Sequence, residues 1–242
     1  AALGSPGQAS YAAANGALLT RLCYTSHIPS NGVEEPKSTE SVGLGLQIVV
    51  DGPAGPLIGF GSEPSDLGPE GVERALAKAR RAAVADPEFT SLPDPSSAPR
   101  TLRDYHDPAL FDLDDRRLVE AGWRIVGGAL RTFLASTRLA DLAGSEDGLR
   151  QLGLILGGDV TILQERVALC STRLPRVETD ESTLITAFVT AMVEAGDAKG
   201  SGWSTGTRLD EFTDEAGVEA AQRAIDAIGG ERVPSGEYTI VF

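Results

Sequence analysis

Histidine, cysteine and aromatic residues are scarce in this chain, and each scarcity removes a class of function. Two histidines, His27 and His106, are too few for the converging ligands of a zinc hydrolase, and neither belongs to a His-Glu-x-x-His helix. His106 stands in Asp104-Tyr105-His106-Asp107-Pro108, where Pro108 predicts a turn and the histidine reads as a surface residue beside a carboxylate. Cys23 and Cys170 are far apart and form no Cys-x-x-Cys pair, the usage expected in a reducing cytoplasm. Aromatic residues make up 5%, which leaves few platforms on which bases could stack. The 21 basic residues are outnumbered by 35 acidic ones, and the formal charge of -14 repels phosphate backbones and anionic lipid. Neither nucleic acid nor a membrane surface is therefore expected as a partner. No run approaches the roughly 18 apolar residues that cross a bilayer, and the first residues lack the basic, apolar, small-residue order of a secretion signal.

What is present is enough for a core. In 242 residues, 41% are hydrophobic, which suits one large domain or two ordinary ones. Residues 1–19 are rich in Ala and Gly and carry no charge before Arg21, so 1–20 read as a tail or fusion remnant. Leu44, Leu46, Ile48 and Val50 alternate along a strand, and Leu57-Ile58-Gly59-Phe60-Gly61 follows a short turn as its hairpin partner. From Pro69 to Ala85 the period changes to that of a helix, with Val72, Leu76, Ala79 and Ala83 on one face. Pro87, Pro93, Pro95 and Pro99 then punctuate an extended linker. A long helix is predicted from about Asp114 to Ser136, with Val119, Trp123, Val126, Leu130 and Phe133 inward, followed by a loop over 139–150. Residues 152–156, 160–169 and 184–193 read as strands, and Gly157-Gly158 as a tight turn between the first two. The last helix places Val218, Ala221, Ile225 and Ile228 on one face, with Thr213 as cap and Gly229-Gly230 as its end. Tyr238-Thr239-Ile240-Val241-Phe242 reads as a strand. No internal repeat is visible at a fixed period. The fold expected is α+β, a two-layer sandwich of mostly antiparallel sheet with helices on one face, in two subdomains.

Few groups offer chemistry. Gly200-Ser201-Gly202-Trp203-Ser204-Thr205-Gly206 lacks the Lys-Ser/Thr ending of a phosphate-binding loop and reads as a connection. The acidic run Asp112–Asp115 suits a helix start, and Glu178-Thr179-Asp180-Glu181 a solvated turn.

Two resemblances follow from particular residues. Leu3-Gly4-Ser5-Pro6-Gly7-Gln8-Ala9-Ser10-Tyr11-Ala12-Ala13-Ala14-Asn15 resembles the catalytic segment of polyketide-synthase ketoreductase domains. That resemblance implies that Tyr11 and Asn15 derive from residues that help protonate a carbonyl accepting hydride from NADPH. The nucleotide-binding fingerprint would have to precede Ala1, so no hydride chemistry is expected here and no cofactor site is assigned.

The broader resemblance covers residues 40 to 242. Gly43-Leu44-Gly45-Leu46, Gly59-Phe60-Gly61-Ser62, Ala75-Leu76-Ala77-Lys78-Ala79-Arg80, Asp86-Pro87-Glu88-Phe89, Glu215-Ala216-Gly217-Val218-Glu219 and Val233-Pro234-Ser235-Gly236-Glu237-Tyr238 follow in the order seen in TldD/PmbA-type metallopeptidases, the modulators of DNA gyrase. The resemblance implies an N-terminal domain over 21–110, a central domain over 111–233, and over 234–242 the first strand of a C-terminal domain that would hold the zinc ligands. It implies no catalytic or metal residue in this chain. The function implied is architectural, part of the subunit interface and chamber wall of a cytoplasmic homo- or hetero-dimeric protease acting on unfolded or extended peptides. The alternatives are a ketoreductase remnant and a stand-alone acidic protein-interaction module.

Overall fold

The computed structural model describes residues 11–34, 36–98, 101–231 and 233–241, and of residues 11–15 and 18 the backbone alone. Its strands are β1 (Tyr11–Ile28), β2 (Lys37–Gly52), β3 (Gly55–Pro64), β4 (Val84–Ala85), β5 (Leu154–Ser171), β6 (Glu178–Val193) and β7 (Ala198–Gly206). The helices are α1 (Pro69–Arg81), α2 (Pro108–Phe111), α3 (Asp115–Ala135), α4 (Thr137–Ala143), α5 (Glu146–Gln151) and α6 (Glu215–Asp226). The sheet order is β4-β3-β2-β1-β5-β6-β7, and β2–β3, β3–β4 and β6–β7 are antiparallel, as the α+β reading requires. Two compact units divide the chain. One holds the chain up to Tyr24, Ser38–Asp112 and Ile162–Leu184; the other holds Thr25–Lys37, Leu113–Thr161 and the chain from Ile185.

In the first unit the β2–β3 hairpin turns through Pro53-Ala54, with Gly52 opposite Gly55, whose φ of +134° favours glycine. Leu44, Leu46 and Ile48 face α1 and form a core with Ala75, Leu76 and Ala79. Helix α1 starts on Pro69, carries Glu70 in its first turn and Lys78, Arg80 and Arg81 in its last, an arrangement that suits the helix dipole. Gly59 and Gly61 lie directly beneath its backbone. Arg74 pairs with Glu63 and Asp66, and Lys78 pairs with Glu63 at 3.0 Å while donating to the Ser62 carbonyl at 2.7 Å.

The second half of the chain repeats this construction. In the β6–β7 hairpin Phe188 stands opposite Trp203, and Gly200 and Gly202 lie beneath α6 as Gly59 and Gly61 lie beneath α1. Element lengths run 18, 16, 10 and 13 residues over β1, β2, β3 and α1, and 18, 16, 9 and 12 over β5, β6, β7 and α6. The chain thus contains two β-β-β-α blocks. Helix α3 packs on α6, where a Cβ on Gly217 would meet the Ala129 nitrogen at 3.1 Å.

Several elements differ from the sequence reading. Strand β1 begins at Tyr11, inside the segment read as a tail over 1–20; residues 1–10 lie outside the described residues. Residues 139–150 form α4 and α5 in place of a loop, because Ser136 and Ser145 cap them through Leu139 N at 3.3 Å and Gly148 N at 3.0 Å. Strand β5 runs unbroken through Gly157-Gly158, where Gly158 at φ +147° lets β6 approach; a Cβ there would be 2.7 Å from the Val189 Cα. Gly200 to Gly206 form β7, where small residues admit α6. Glu178 to Glu181 begin β6 in place of a turn. The run Tyr238–Val241 is no strand: it is exposed, Val241 at 91%, and β propensity without a neighbouring strand does not make a ladder. Phe242 lies outside the described residues.

Candidate functional site

Three of the polar residues singled out in the sequence, His106, Asp180 and Glu181, meet in the first unit, where the segment leading into α2 crosses β5 and β6. Asp107 caps α2 by accepting from the Ala109 N-H at 2.9 Å, and its own N-H donates to Thr183 Oγ1 at 2.9 Å. The Thr183 N-H donates to the Tyr105 carbonyl at 3.0 Å, and the Tyr105 hydroxyl to Asp180 Oδ1 at 2.9 Å. The buried Gln164 amide donates to the Leu110 carbonyl. Arg166 lies 4.6 Å from the Phe111 ring centre and donates through Nε to Glu181 Oε1 at 2.8 Å, while the His106 and Phe111 rings meet edge to face with centres 5.1 Å apart. His106 Nε2 is 3.6 Å from Glu181 Oε2, beyond hydrogen-bond reach, and has no hydrogen-bond partner among the described residues.

This cluster unites His106, Asp180 and Glu181, but its geometry is that of a clasp. The contacts run from α2 and its approach to β5 and β6, and Arg166 and Tyr105 occupy the carboxylates that acid–base chemistry would need. The other candidates lie elsewhere. Asp114 caps α3 by accepting from the Arg117 N-H at 2.9 Å, in keeping with the dipole reading. Among the described residues no group of three or more His, Cys, Asp or Glu converges on a point, so they do not fit a zinc ion. Tyr11 and Asn15 lie on β1, and their side chains are outside the described structure.

Two apolar features were not singled out by motif. Away from α1, Phe60 (65% exposed) and Leu169 (43%) border a cleft of about 380 Å³ floored by Ala17 and Gly45, where a Cβ on Gly45 would meet nothing within 4 Å. In the second unit Phe188 and Trp203 stand side by side away from α6, each more than half exposed. Period-two alternation carried the signal for the pair, since Ala187 and Val189 must face inward and Phe188 outward.

No family model matches the chain, and no curated protein matches it; the ketoreductase resemblance has no support from these comparisons. Solved structures do resemble it. A proposed modulator of DNA gyrase from Thermotoga maritima matches with a TM-score of 0.64 and 14% identity, over 93% of this chain and 46% of its own. TldE from Thermococcus kodakarensis matches at 0.63 and 16%, over 90% and 44%. A proposed modulator of DNA gyrase from Bacteroides thetaiotaomicron matches at 0.63 and 17%, over 93% and 48%. The chain therefore spans less than half the length of each of these structures, and what it shares with these TldD/PmbA-type proteins is the fold.

Proposed function

We propose that this chain is the non-catalytic N-terminal and central portion of a TldD/PmbA-like zinc metallopeptidase, forming part of the subunit interface and of the wall that guides extended peptides. The observation that carries the reading is the fold likeness over nine-tenths of the chain to about half of each related structure. The resemblance of residues 40–242 to the same family, read independently from sequence, supports it. On this reading the zinc ligands lie in the C-terminal domain that the resemblance implies; among the described residues no group of three or more His, Cys, Asp or Glu is placed to hold a metal ion. On this reading the chain acts in the cytoplasm, with a second TldD/PmbA-like subunit as partner and an unfolded peptide as substrate of the assembly.

The test is direct. The purified chain is expected to hold no stoichiometric zinc by atomic absorption and to leave an unstructured fluorogenic peptide intact, while binding that peptide measurably by anisotropy. Stoichiometric zinc together with chelator-sensitive cleavage by this chain alone would sink the non-catalytic reading. Absence of any peptide binding would remove the chamber-wall role and favour the acidic interaction module.

A further inference from the structure

The chain holds two asparagines, Asn15 and Asn31, and glycine follows each of them. In such a pair the next backbone nitrogen carries no Cβ beside it, so it can reach the asparagine side chain. Asn15 stands inside β1, whereas Asn31 stands among residues 29–34, which form neither helix nor strand. This short segment is tied to its surroundings by hydrogen bonds. The Glu34 N-H donates to the His27 carbonyl at 3.0 Å, and Asn31 grips the start of β5. Its own N-H donates to the Leu156 carbonyl at 2.9 Å, its Nδ2 donates to the Leu154 carbonyl at 2.7 Å, and its Oδ1 accepts from the Leu156 N-H at 2.6 Å. Both ends of the side-chain amide are committed to one strand, so its carbon cannot turn onto the Gly32 nitrogen until both bonds break. A Cβ built on Gly32 would meet only the Ser30 carbonyl oxygen, at 3.8 Å, which leaves that nitrogen uncrowded.

We propose that Asn31 is a deamidation site gated by its grip on β5: it converts only while the start of β5 is open, and conversion makes the opening permanent. The Gly32 nitrogen gives up its proton to solvent base and attacks Asn31 Cγ. As the new N–Cγ bond closes a cyclic imide, the Cγ–Nδ2 bond breaks and ammonia leaves with a proton from water. Water then opens the ring at either carbonyl, giving aspartate or an isoaspartate whose main chain runs through the side-chain carboxyl carbon. The net change is amide plus water to carboxylate plus ammonium, with no oxidation or reduction. Either product lacks the Nδ2 donor. The carboxylate oxygen in its place would face the Leu154 carbonyl, an acceptor against an acceptor, so the grip on β5 cannot re-form as it was.

Ageing the whole chain in mildly alkaline buffer, followed by tryptic peptide mass spectrometry, tests it, because cleavage at Arg21 and Lys37 puts the two asparagines in different peptides. In unfolding urea Asn15 and Asn31 are expected to convert at similar rates. In the native chain Asn31 is expected to convert about tenfold or more slowly than in urea, in step with local opening. Urea below the unfolding transition should raise Asn31 conversion and Leu156 N-H exchange by the same factor. Gly32→Ala, which fits the space, is expected to suppress conversion several-fold while leaving Leu156 exchange unchanged. Asn31→Asp is expected to speed that exchange with native circular dichroism retained. If Asn31→Asp proves unfolded, the aged chain, separated by ion exchange through its added negative charge, supplies the same reading. No conversion at Asn31 in urea, equal rates in the native chain and in urea, conversion that does not follow Leu156 exchange, or an aged chain whose Leu156 N-H is as protected as before would each overturn the proposal.

Discussion

Gly61 lies so close under α1 that a Cβ at that position would stand 2.7 Å from the backbone nitrogen of Ala79. Gly202 has the same relation to α6, with its Cβ position 2.7 Å from the nitrogen of Ala220. In both blocks a helix rests on a strand backbone-to-backbone, and the contact depends on a missing side chain. Neither neighbour can move, because the conflicting atoms belong to helix main chain.

Gly61→Val and Gly202→Val are therefore each expected to destabilise by about 2 kcal/mol or more, the upper range for overpacking. A lowered urea midpoint at unchanged slope would show it. Gly45→Ala is the control: its Cβ meets nothing within 4 Å, so it is expected to be neutral or stabilising by about 0.5 kcal/mol. Equal losses at Gly45 and Gly61 would mean that strand propensity, not helix approach, sets the cost.

Asn31, in the second unit, pairs with the start of β5 as a neighbouring strand would. Its φ is 56°; its backbone N-H donates to the Leu156 carbonyl at 2.9 Å, its Nδ2 to the Leu154 carbonyl at 2.7 Å, and its Oδ1 accepts the Leu156 N-H at 2.6 Å. Asn31→Ala removes both side-chain bonds and also disfavours the left-handed backbone, and is expected to cost about 1–3 kcal/mol. Asn31→Gly keeps the backbone freedom and should cost less. Hydrogen exchange at Leu156 N-H should accelerate in both.

The ion-pair group on α1 predicts a pH dependence. Hydrogen bonds from Lys78 and then Arg74 hold the Glu63 carboxyl below its ordinary value, and the Gly68 N-H followed by Arg74 does the same for Asp66. A carboxylate whose folded pKa is depressed contributes stability above its unfolded pKa and loses it as pH falls through the folded one. Stability is therefore expected to be full at neutral pH and to decline below the ordinary carboxylate range. Arg74→Met should flatten that acid limb with a small effect at pH 7, since Arg74 and Asp66 are open to water and Glu63 keeps Lys78. An unchanged acid limb in Arg74→Met would show that the pairing is energetically idle.

Large hydrophobic residues and turn chemistry made much of this architecture legible. The β2–β3 hairpin, α1 and α3 stand close to where alternation and periodicity put them. The errors on the helix faces have one physical source. On α6 the sequence favours Val218, yet Val218 is 38% exposed and the buried face is Ala216, Gly217, Ala220, Ala221, Ala224 and Ile225. Trp123 on α3 is likewise 48% exposed. These helices pack through glycine and alanine, where close backbone approach replaces side-chain volume, and a hydrophobicity pattern weights such residues too lightly. The clasp around His106 was invisible for another reason: Tyr105 and Asp180 meet across 75 residues, a pairing set only by how α2 and β6 come together.

The clasp gives the last prediction. The described residues of 86–107 form no helix or strand, and contacts of Tyr105, Asp107 and Leu110 with β5 and β6 tie down their far end. Thr183→Val removes the acceptor for the buried Asp107 N-H while keeping the side-chain shape, leaving a donor unsatisfied at a cost of about 1–3 kcal/mol. Because that cost falls on the clasp, local opening should rise more than global unfolding. Trypsin is expected to cut after the exposed Arg103 several-fold faster in Thr183→Val than in the parent chain, at a denaturant concentration too low to unfold either. Gln164→Leu, which frees the Leu110 carbonyl from inside the sheet, should act in the same direction. If the urea midpoint falls while cleavage after Arg103 stays unchanged, the contacts belong to the global core, and the segment is held by its neighbours rather than by the clasp.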